Sequence, residues 1–474
     1  MKYTDMDKNS PKRLGRRSFL KYIGAGAALA ATGCSSRPSS SSAQSSGSSI
    51  AGTGEMTYRI NPTTGDTVSI LGYGCMRLPT KTVGSGSDSV TEIDQEAVNR
   101  SVDHALEHGV NYFDTSPAYC QGRSEGAMGR ALSRPPRHSY FIATKLSNFA
   151  ESTWSREKSI AMYRNSFKEL QTDYLDYMLL HGIGMGGMDS FNGRYVDNGI
   201  LDFLVAEREA GRIRNLGFSY HGDIAVFDHL LKLHDEGKYK WDFVQIQLNY
   251  VDWHHAKEVN PRNTDAEYLY GELSKRHIPA VIMEPLLGGR LASVNNHIAG
   301  SMRQRRPDDS IASWAFRFAG SPEGVLTVLS GMTYMEHLKD NLRTFSPLEP
   351  LDDSELAFLE QTAQEILSYP TVACNDCKYC MPCPSGIDIP GVLLHYNKCV
   401  NEGNVPAGNQ DPRYAEARKA FLVGYDRSVP RLRQAARCIA CGECKPHCPQ
   451  GIDIPAQLAR IDTFVEQLKQ NPDA

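Results

Sequence analysis

The chain has 474 residues, 22% of them charged, and a formal net charge of −4. That mild acidity sets nucleic acid aside as a partner, because phosphate backbones are gripped by clustered Lys and Arg. It holds twelve cysteines, and eight of them fall in two short runs near the C-terminus, a pattern of ligands rather than of incidental core residues.

In chain order, a basic stretch leads into Gly15-Arg16-Arg17-Ser18-Phe19-Leu20-Lys21, then a Gly/Ala-rich segment at 22–31, then Thr32-Gly33-Cys34. The apolar part is too short and weak to span a bilayer as a mature helix. The phrase resembles a twin-arginine export signal, which implies a protein folded and loaded with its cofactors before translocation. Cys34 stands where a lipidated cysteine would stand, although Ala31 replaces the usual Leu, and simple cleavage is the alternative. Residues 35–54 are mostly Ser with Gly and Ala, a tether with nothing to bury. The expected location is periplasmic or at the cell surface, with a lipid anchor as the membrane contact.

Residues 55–350 read as one α/β unit. Strands are expected at 69–74, 111–114, 140–145, 174–181, 215–218, 243–247, 280–284 and 325–330, with helices between them at 92–108, 157–170, 224–236 and 334–345. Eight βα units in succession favour a closed (β/α)8 TIM barrel, and 58–60 with 67–68 reads as a hairpin under it. Polar residues stand where strands end: Asp114 and then Tyr119 after the second, Lys145 at the third, His181 at the fourth. Chemistry in such barrels sits at the C-terminal strand ends, so the four should converge. The phrases Phe113-Asp114-Thr115-Ser116-x-x-Tyr119, Ala143-Thr144-Lys145, Leu180-His181, Gly217-Phe218-Ser219, Gln245-Ile246-Gln247 and Asp340-Asn341 together resemble the aldo-keto reductases.

That resemblance implies carbonyl or alcohol chemistry on a small molecule. Tyr119 would be the general acid, Lys145 would lower its pKa, Asp114 would hold Lys145, and His181 would orient the substrate oxygen. It also implies a nicotinamide site at Ser219, Gln245, Met283, Asp340 and Asn341. Met283 replaces the family's stacking aromatic, Tyr220 and His221 follow Ser219, and Gly331 and His337 occupy the phosphate-binding positions. Without fixed positive charge there, NAD(H) is expected over NADP(H), or weak binding of both. The loop at 182–197, rich in Gly and Met, is expected to line the pocket.

Residues 351–373 read as a connecting helix, and 374–474 as a mostly α-helical, two-cluster ferredoxin-like domain with helices near 392–402 and 414–423. Cys374-x2-Cys377-x2-Cys380-x2-Cys383-Pro384 and Cys438-x2-Cys441-x2-Cys444-x3-Cys448-Pro449 each precede a Gly-Ile-Asp-Ile-Pro phrase, an internal duplication. Zinc needs only paired Cys-x2-Cys knuckles, and disulfides need no such spacing. The duplication resembles two-cluster ferredoxins, and the long gap between the runs resembles the helical modules of respiratory iron–sulfur subunits. The resemblance implies two 4Fe-4S clusters with crossed ligation: Cys374, Cys377, Cys380 and Cys448 on one, Cys438, Cys441, Cys444 and Cys383 on the other.

The expected function is an exported oxidoreductase whose barrel chemistry is coupled to electron transfer with a redox protein or a membrane electron carrier. Clusters move single electrons and nicotinamide moves hydride, so a flavin or equivalent converter stays open, although no flavin fingerprint is present. The alternatives are a non-catalytic barrel serving as a sensing or docking domain, and clusters acting only as structural staples.

Overall fold

The computed structural model describes residues 55–84, 90–406, 408 and 410–471. The expected export signal, Cys34 and the Ser-rich stretch at 35–54 lie outside the described residues. Eight parallel strands close into a barrel: Leu71–Gly74, Tyr112–Asp114, Phe141–Leu146, Leu175–Ile183, Ile213–Tyr220, Phe243–Gln247, Ala280–Met283 and Val325–Ser330. The eighth pairs with the first through Val328 and Leu71, Leu329 and Gly72, and Ser330 and Tyr73. This is the expected (β/α)8 architecture.

The strand period explains where the polar residues go. Tyr112, Ala143, Tyr177, Leu179, Phe243, Val281, Leu326 and Leu329 fill the barrel interior together with Val68. Two residues along a strand return to the same face. Asp114 therefore follows Tyr112 inward, Lys145 follows Ala143, His181 follows Leu179, Gln245 follows Phe243 and Met283 follows Val281. One layer above an apolar plug, the barrel presents a polar ring. The alternate residues, such as Phe113, Ile142, Leu180, Phe218 and Ile246, pack outward into the helix layer.

An antiparallel hairpin, Tyr58–Ile60 with Thr67–Ser69, closes the N-terminal end. Asp66 beneath it pairs with Arg214 at 2.9 Å, and Asn61 Nδ2 donates to Asn215 Oδ1 at 3.1 Å. A second hairpin, Thr80–Val83 with Val90–Ile93, corrects the expectation of a helix from 92. That helix begins at Gln95, where Asp94 accepts from Ala97 N at 3.1 Å as its cap. The β-branched, alternating run before Asp94 is better satisfied by cross-strand pairing than by a helix start.

The helix Asp353–Ser368 opens with a reciprocal capping box between Asp352 and Glu355, a feature worth about 1 kcal/mol. Leu359, Ala363 and Ile366 bury in the barrel's own core, so this helix belongs to the barrel's outer layer and is more than a connector. Glu360 fixes it to the sixth-strand loop, accepting from His254 Nδ1 at 2.9 Å and from His255 Nε2 at 3.0 Å.

Among the described residues the C-terminal unit has three α-helices, Ile389–Asn401, Tyr414–Ser428 and Ile454–Gln470, around a separate apolar core. Its repeated phrase has a physical reason. Gly386 and Gly451 turn at φ 75° and 63°, Asp388 and Asp453 cap the following helices, and Pro390 and Pro455 sit in the first turn. Among the described residues no helix is long and apolar enough to cross a membrane.

Candidate active site and cluster cavities

The structure brings the four expected catalytic side chains together. Lys145 Nζ donates to Asp114 Oδ1 at 2.5 Å and to the Thr115 carbonyl at 2.9 Å. It lies 4.9 Å from the centre of the Tyr119 ring, and that ring meets His181 edge-on at 5.9 Å. Cys120 and Gln121 both adopt positive φ, so the chain turns sharply just after Tyr119. Cys120 packs at the edge of the core, its thiol 3.4 Å from the Met76 carbonyl.

The electrostatics differ from the expected balance at one point. Burial, then Asp114, Tyr379, Cys75 and Glu284, push the Tyr119 hydroxyl well above its ordinary range. Lys145 does not lower it on balance, because its charge is already committed to Asp114. Burial pushes Asp114 up and Lys145 down, each opposed by its partner. Burial, with Lys145, His221 and Arg194, holds His181 far below the usual imidazole range. His181 is therefore neutral at working pH. Its Nδ1 lies 2.6 Å from Ser147 Oγ. When that hydroxyl donates to Nδ1, the proton resides on Nε2, ready for a substrate oxygen.

Sequence reasoning missed the residues behind this ring. Ser116 and Ser147 hydroxyls lie 2.8 Å apart, both on the His181 side. Arg194, buried in the Gly/Met-rich loop, donates to the His181 carbonyl at 2.5 Å and to Tyr195 Oη at 2.8 Å. Its burial was not legible, because the Asn192–Val196 turn that folds it inward carries no strong local signature.

The expected nicotinamide residues are less uniform. Gln245 is buried and its Oε1 has no partner among the described residues, which fits the amide N–H of a nicotinamide. Met283 is buried on the neighbouring strand, opposite Gln247. Ser219 already accepts from Gly182 N at 2.9 Å, Asn341 donates to Ser330 Oγ at 2.9 Å, and Asp340 pairs with Arg343 at 3.0 Å. The one cation in that last pair is thus offset by a carboxylate.

Eight thiols gather around two cavities. Cys374, Cys377, Cys380 and Cys448 line one with Ile389, Leu393, Ile452 and Ile454. Cys383, Cys438, Cys441 and Cys444 line the other with Ile387, Ile389 and Leu458. All eleven described cysteines are free thiols. Among the described residues, the one set of three or more metal-binding atoms within 4.8 Å of one another is His104, Glu107 and His108. The cavity thiols thus stand wider apart than a single zinc ion requires, which fits the larger cubane. Burial and the neighbouring thiols push Cys377 and Cys380 up to about 12. The two loops share one backbone: Asp376 and Lys378 have positive φ, as do Ala440 and Gly442 at the matching places.

The first cavity lies against the mouth of the barrel. Asn375 Nδ2 donates to Glu284 Oε1 at 3.0 Å, and the Asn375 carbonyl accepts from Arg77. Arg290 donates to Thr371 Oγ1 at 2.8 Å, and Asn260 Nδ2 to the Pro449 carbonyl at 3.2 Å. Gly288 is in close contact with Asn375: a Cβ added there would come within 2.1 Å of the Asn375 Cβ. The Tyr379 hydroxyl lies within electrostatic reach of Cys377 and Glu284 and, in turn, of Tyr119.

Residues 70–364 match the aldo/keto reductase family, and residues 373–452 match a 4Fe-4S dicluster domain. An L-galactose dehydrogenase of Arabidopsis thaliana is 36% identical, covering 65% of this chain and 95% of the plant protein. An uncharacterized oxidoreductase of Bacillus subtilis is 25% identical over 63% of this chain and 94% of its own length. A solved aldo-keto reductase from Bacillus halodurans, in its holo form, shares the fold with a TM-score of 0.50 at 23% identity, covering 67% of this chain and 98% of that one.

Proposed function

The chain belongs to the aldo/keto reductase family and carries a 4Fe-4S dicluster domain, and on that premise we propose that it couples alcohol–carbonyl interconversion in the barrel to single-electron transfer through two clusters. The observation that carries the reading is the junction at Glu284 and Asn375, which holds the first cysteine cavity against the barrel mouth, with Tyr379 within electrostatic reach of Tyr119. Staples remote from the barrel would need no such junction.

In this reading Cys374, Cys377, Cys380 and Cys448 hold one cluster, and Cys438, Cys441, Cys444 and Cys383 the other. The clusters supply and accept single electrons, and a nicotinamide, NAD(H) in preference to NADP(H), supplies the hydride end; a flavin-like converter would join the two. The barrel's own residues handle the proton. Tyr119 gives it to the carbonyl oxygen, or takes it from the alcohol. His181, neutral, donates from Nε2 to the same oxygen and fixes its direction. Lys145, locked by Asp114, keeps a positive charge beside the tyrosine where a phenolate would form. The site is buried, so each of these dipoles acts in a low dielectric.

Buried acceptors without partners among the described residues, Asp252 Oδ1 and Glu284 Oε2, stand after the sixth and seventh strands. Sugar hydroxyls would satisfy such acceptors, and the plant relative is named for a sugar. A polyhydroxylated alcohol or aldose is therefore the proposed substrate class. Export through the twin-arginine phrase, with Cys34 lipidated, places this chemistry outside the cytoplasmic membrane in the same proposal. Replacing Arg16 and Arg17 by Lys should retain the protein inside the cell.

The test is anaerobic and uses cluster-loaded protein with bound NAD+ and added flavin mononucleotide as the converter, so that the two electrons of one alcohol can pass singly to the two clusters. Mixing with L-galactose, related aldoses and simple alcohols should bleach the cluster absorbance. Tyr119→Phe should slow that bleaching by ~10²–10⁴. Equal rates in the variant would remove Tyr119 from the mechanism, and a barrel that docks without catalysing would give no bleaching in either.

A further inference from the structure

The two cysteine loops are copies with the same backbone, yet only one of them has its docking partner in the chain. In the inner loop the residue after the first cysteine is Asn375, buried and clamped to Glu284 of the barrel. At the same place in the outer loop stands Ile439, an aliphatic side chain 72% exposed. Leu432, between Arg431 and Arg433, is 75% exposed, and these two are the most exposed large hydrophobic residues among those described. The inner Cys374 and Cys448 are buried, whereas Cys441 of the outer set is exposed.

Cations frame this face. Arg431, Arg433 and Arg437 are all exposed. Two contacts hold them beside the outer cavity. The Arg433 carbonyl accepts from Asp388 N at 2.9 Å, between the cavity-lining Ile387 and Ile389. Arg437 Nε reaches the carbonyl of Ser385, itself a lining residue, at 3.5 Å. Lys445 is paired with Asp453 at 2.9 Å, so against the three guanidiniums stand Glu443 of the loop and Asp426, which accepts from Gln434 Nε2 at 2.9 Å, and cations still outnumber carboxylates at the rim.

We propose that the outer cysteine loop is the docking face for an electron-transfer protein whose own redox centre is ringed by carboxylates. The rule it follows is the usual anatomy of an interface: an apolar centre at Ile439 and Leu432, and an Arg rim that steers encounter. A basic, partly apolar patch on an acidic chain would draw an acidic partner to this face ahead of the rest of the surface. The outer thiols, the more exposed set, would then stand closest to that partner. This inference rests on the electron-relay reading of the clusters.

An acidic flavodoxin serves as the probe. Its affinity for oxidised, cluster-loaded full-length chain is measured by calorimetry at low and high salt, and its reduction by the reduced chain is followed in a stopped-flow instrument. The expected result is association that weakens at least tenfold on raising salt. Arg431→Glu with Arg433→Glu and Arg437→Glu should cost a similar factor, and Ile439→Ser a few-fold, with iron content unchanged. Should the triple variant lose iron, Arg433→Gln and the salt series on the unaltered chain carry the same question. Salt-independent or undetectable association, or unaltered affinity in the variants, overturns the docking face. Loss of binding to anionic phosphatidylglycerol vesicles with flavodoxin binding intact overturns it in favour of a membrane surface. Salt-sensitive binding without electron transfer leaves the docking face standing and counts against the relay.

Discussion

The inner and outer cysteine loops differ less in coordination than in what covers them. Both wrap four thiols with left-handed residues at the same two places, Asp376 and Lys378 in one and Ala440 and Gly442 in the other. The inner loop spends Asn375 and Tyr379 on the barrel, whereas the outer loop turns Ile439 and Glu443 to solvent at the matching positions. Duplication thus supplies two equivalent metal sites, and contact with the barrel makes them unequal. One faces the barrel mouth and the other faces solvent.

The largest expected effect separates the two loops outright. Cys377→Ser and Cys441→Ser should each lower iron from about eight to about four atoms per chain, by loss of one cubane. Cys377→Ser should abolish bleaching by alcohol, while Cys441→Ser should leave the inner cluster reducible by one electron per chain, so that one alcohol, acting through the converter, bleaches two chains. Iron analysis with anaerobic titration measures both, and identical phenotypes would erase the proposed division of labour.

A smaller effect tests the junction. Gly288 has φ +70° and no room for a Cβ against Asn375. Gly288→Ala should push the inner loop off the barrel mouth and slow alcohol-driven bleaching about tenfold, while iron content and the barrel's circular dichroism hold. Asn375→Ala should act in the same direction through loss of a hydrogen bond to a buried carboxylate, worth about 1.5–3 kcal/mol. A rate unchanged in both would show that the contact is only mechanical.

The smallest effect lies in the helix that ties barrel to module. Burial alone would depress His254, but hydrogen bonds to Glu267 and Glu360 outweigh it and raise the imidazole to about 9. Glu360 is lowered to about 2, chiefly by the His254 hydrogen bond. A raised histidine stabilises the folded state fully below its unfolded value of about 6.5, and that contribution disappears as pH climbs through about 9. His254→Gln should therefore cost about 1 kcal/mol at pH 6, the scale of a partly exposed ion pair, and almost nothing at pH 10. Urea unfolding at the two pH values checks the sign.

The barrel was legible because eight strand-like runs alternated with helical ones, and its tetrad was legible because each member ends or follows a strand. Period-two alternation then lifts Asp114, Lys145 and His181 onto one ring above Tyr112, Ala143 and Leu179. The crossed grouping of thiols is what the resemblance to two-cluster ferredoxins implies, and the cavities gather the same two sets of four. What local patterning did not carry were long-range meetings. Nothing near Glu284 announces that Asn375 will sit on it, or that Tyr379 lies within electrostatic reach of Tyr119. The expected helix starts at 92, inside the strand Val90–Ile93, because the partner strand, Thr80–Val83, is short and exposed and carries a weak alternation of its own.

The central claim is that a reduced cluster in the inner cavity lies beside the catalytic tyrosine. It can be tested without knowing the substrate. Full-length protein carrying fluorotyrosine is reduced anaerobically, and paramagnetic broadening of the assigned tyrosine resonances is compared before and after reduction. The account predicts strong broadening at Tyr379 and Tyr119, with Tyr174 and Tyr239 on the barrel's outer surface staying sharp. A Tyr119 resonance as sharp as that of Tyr239 in the reduced protein would contradict it.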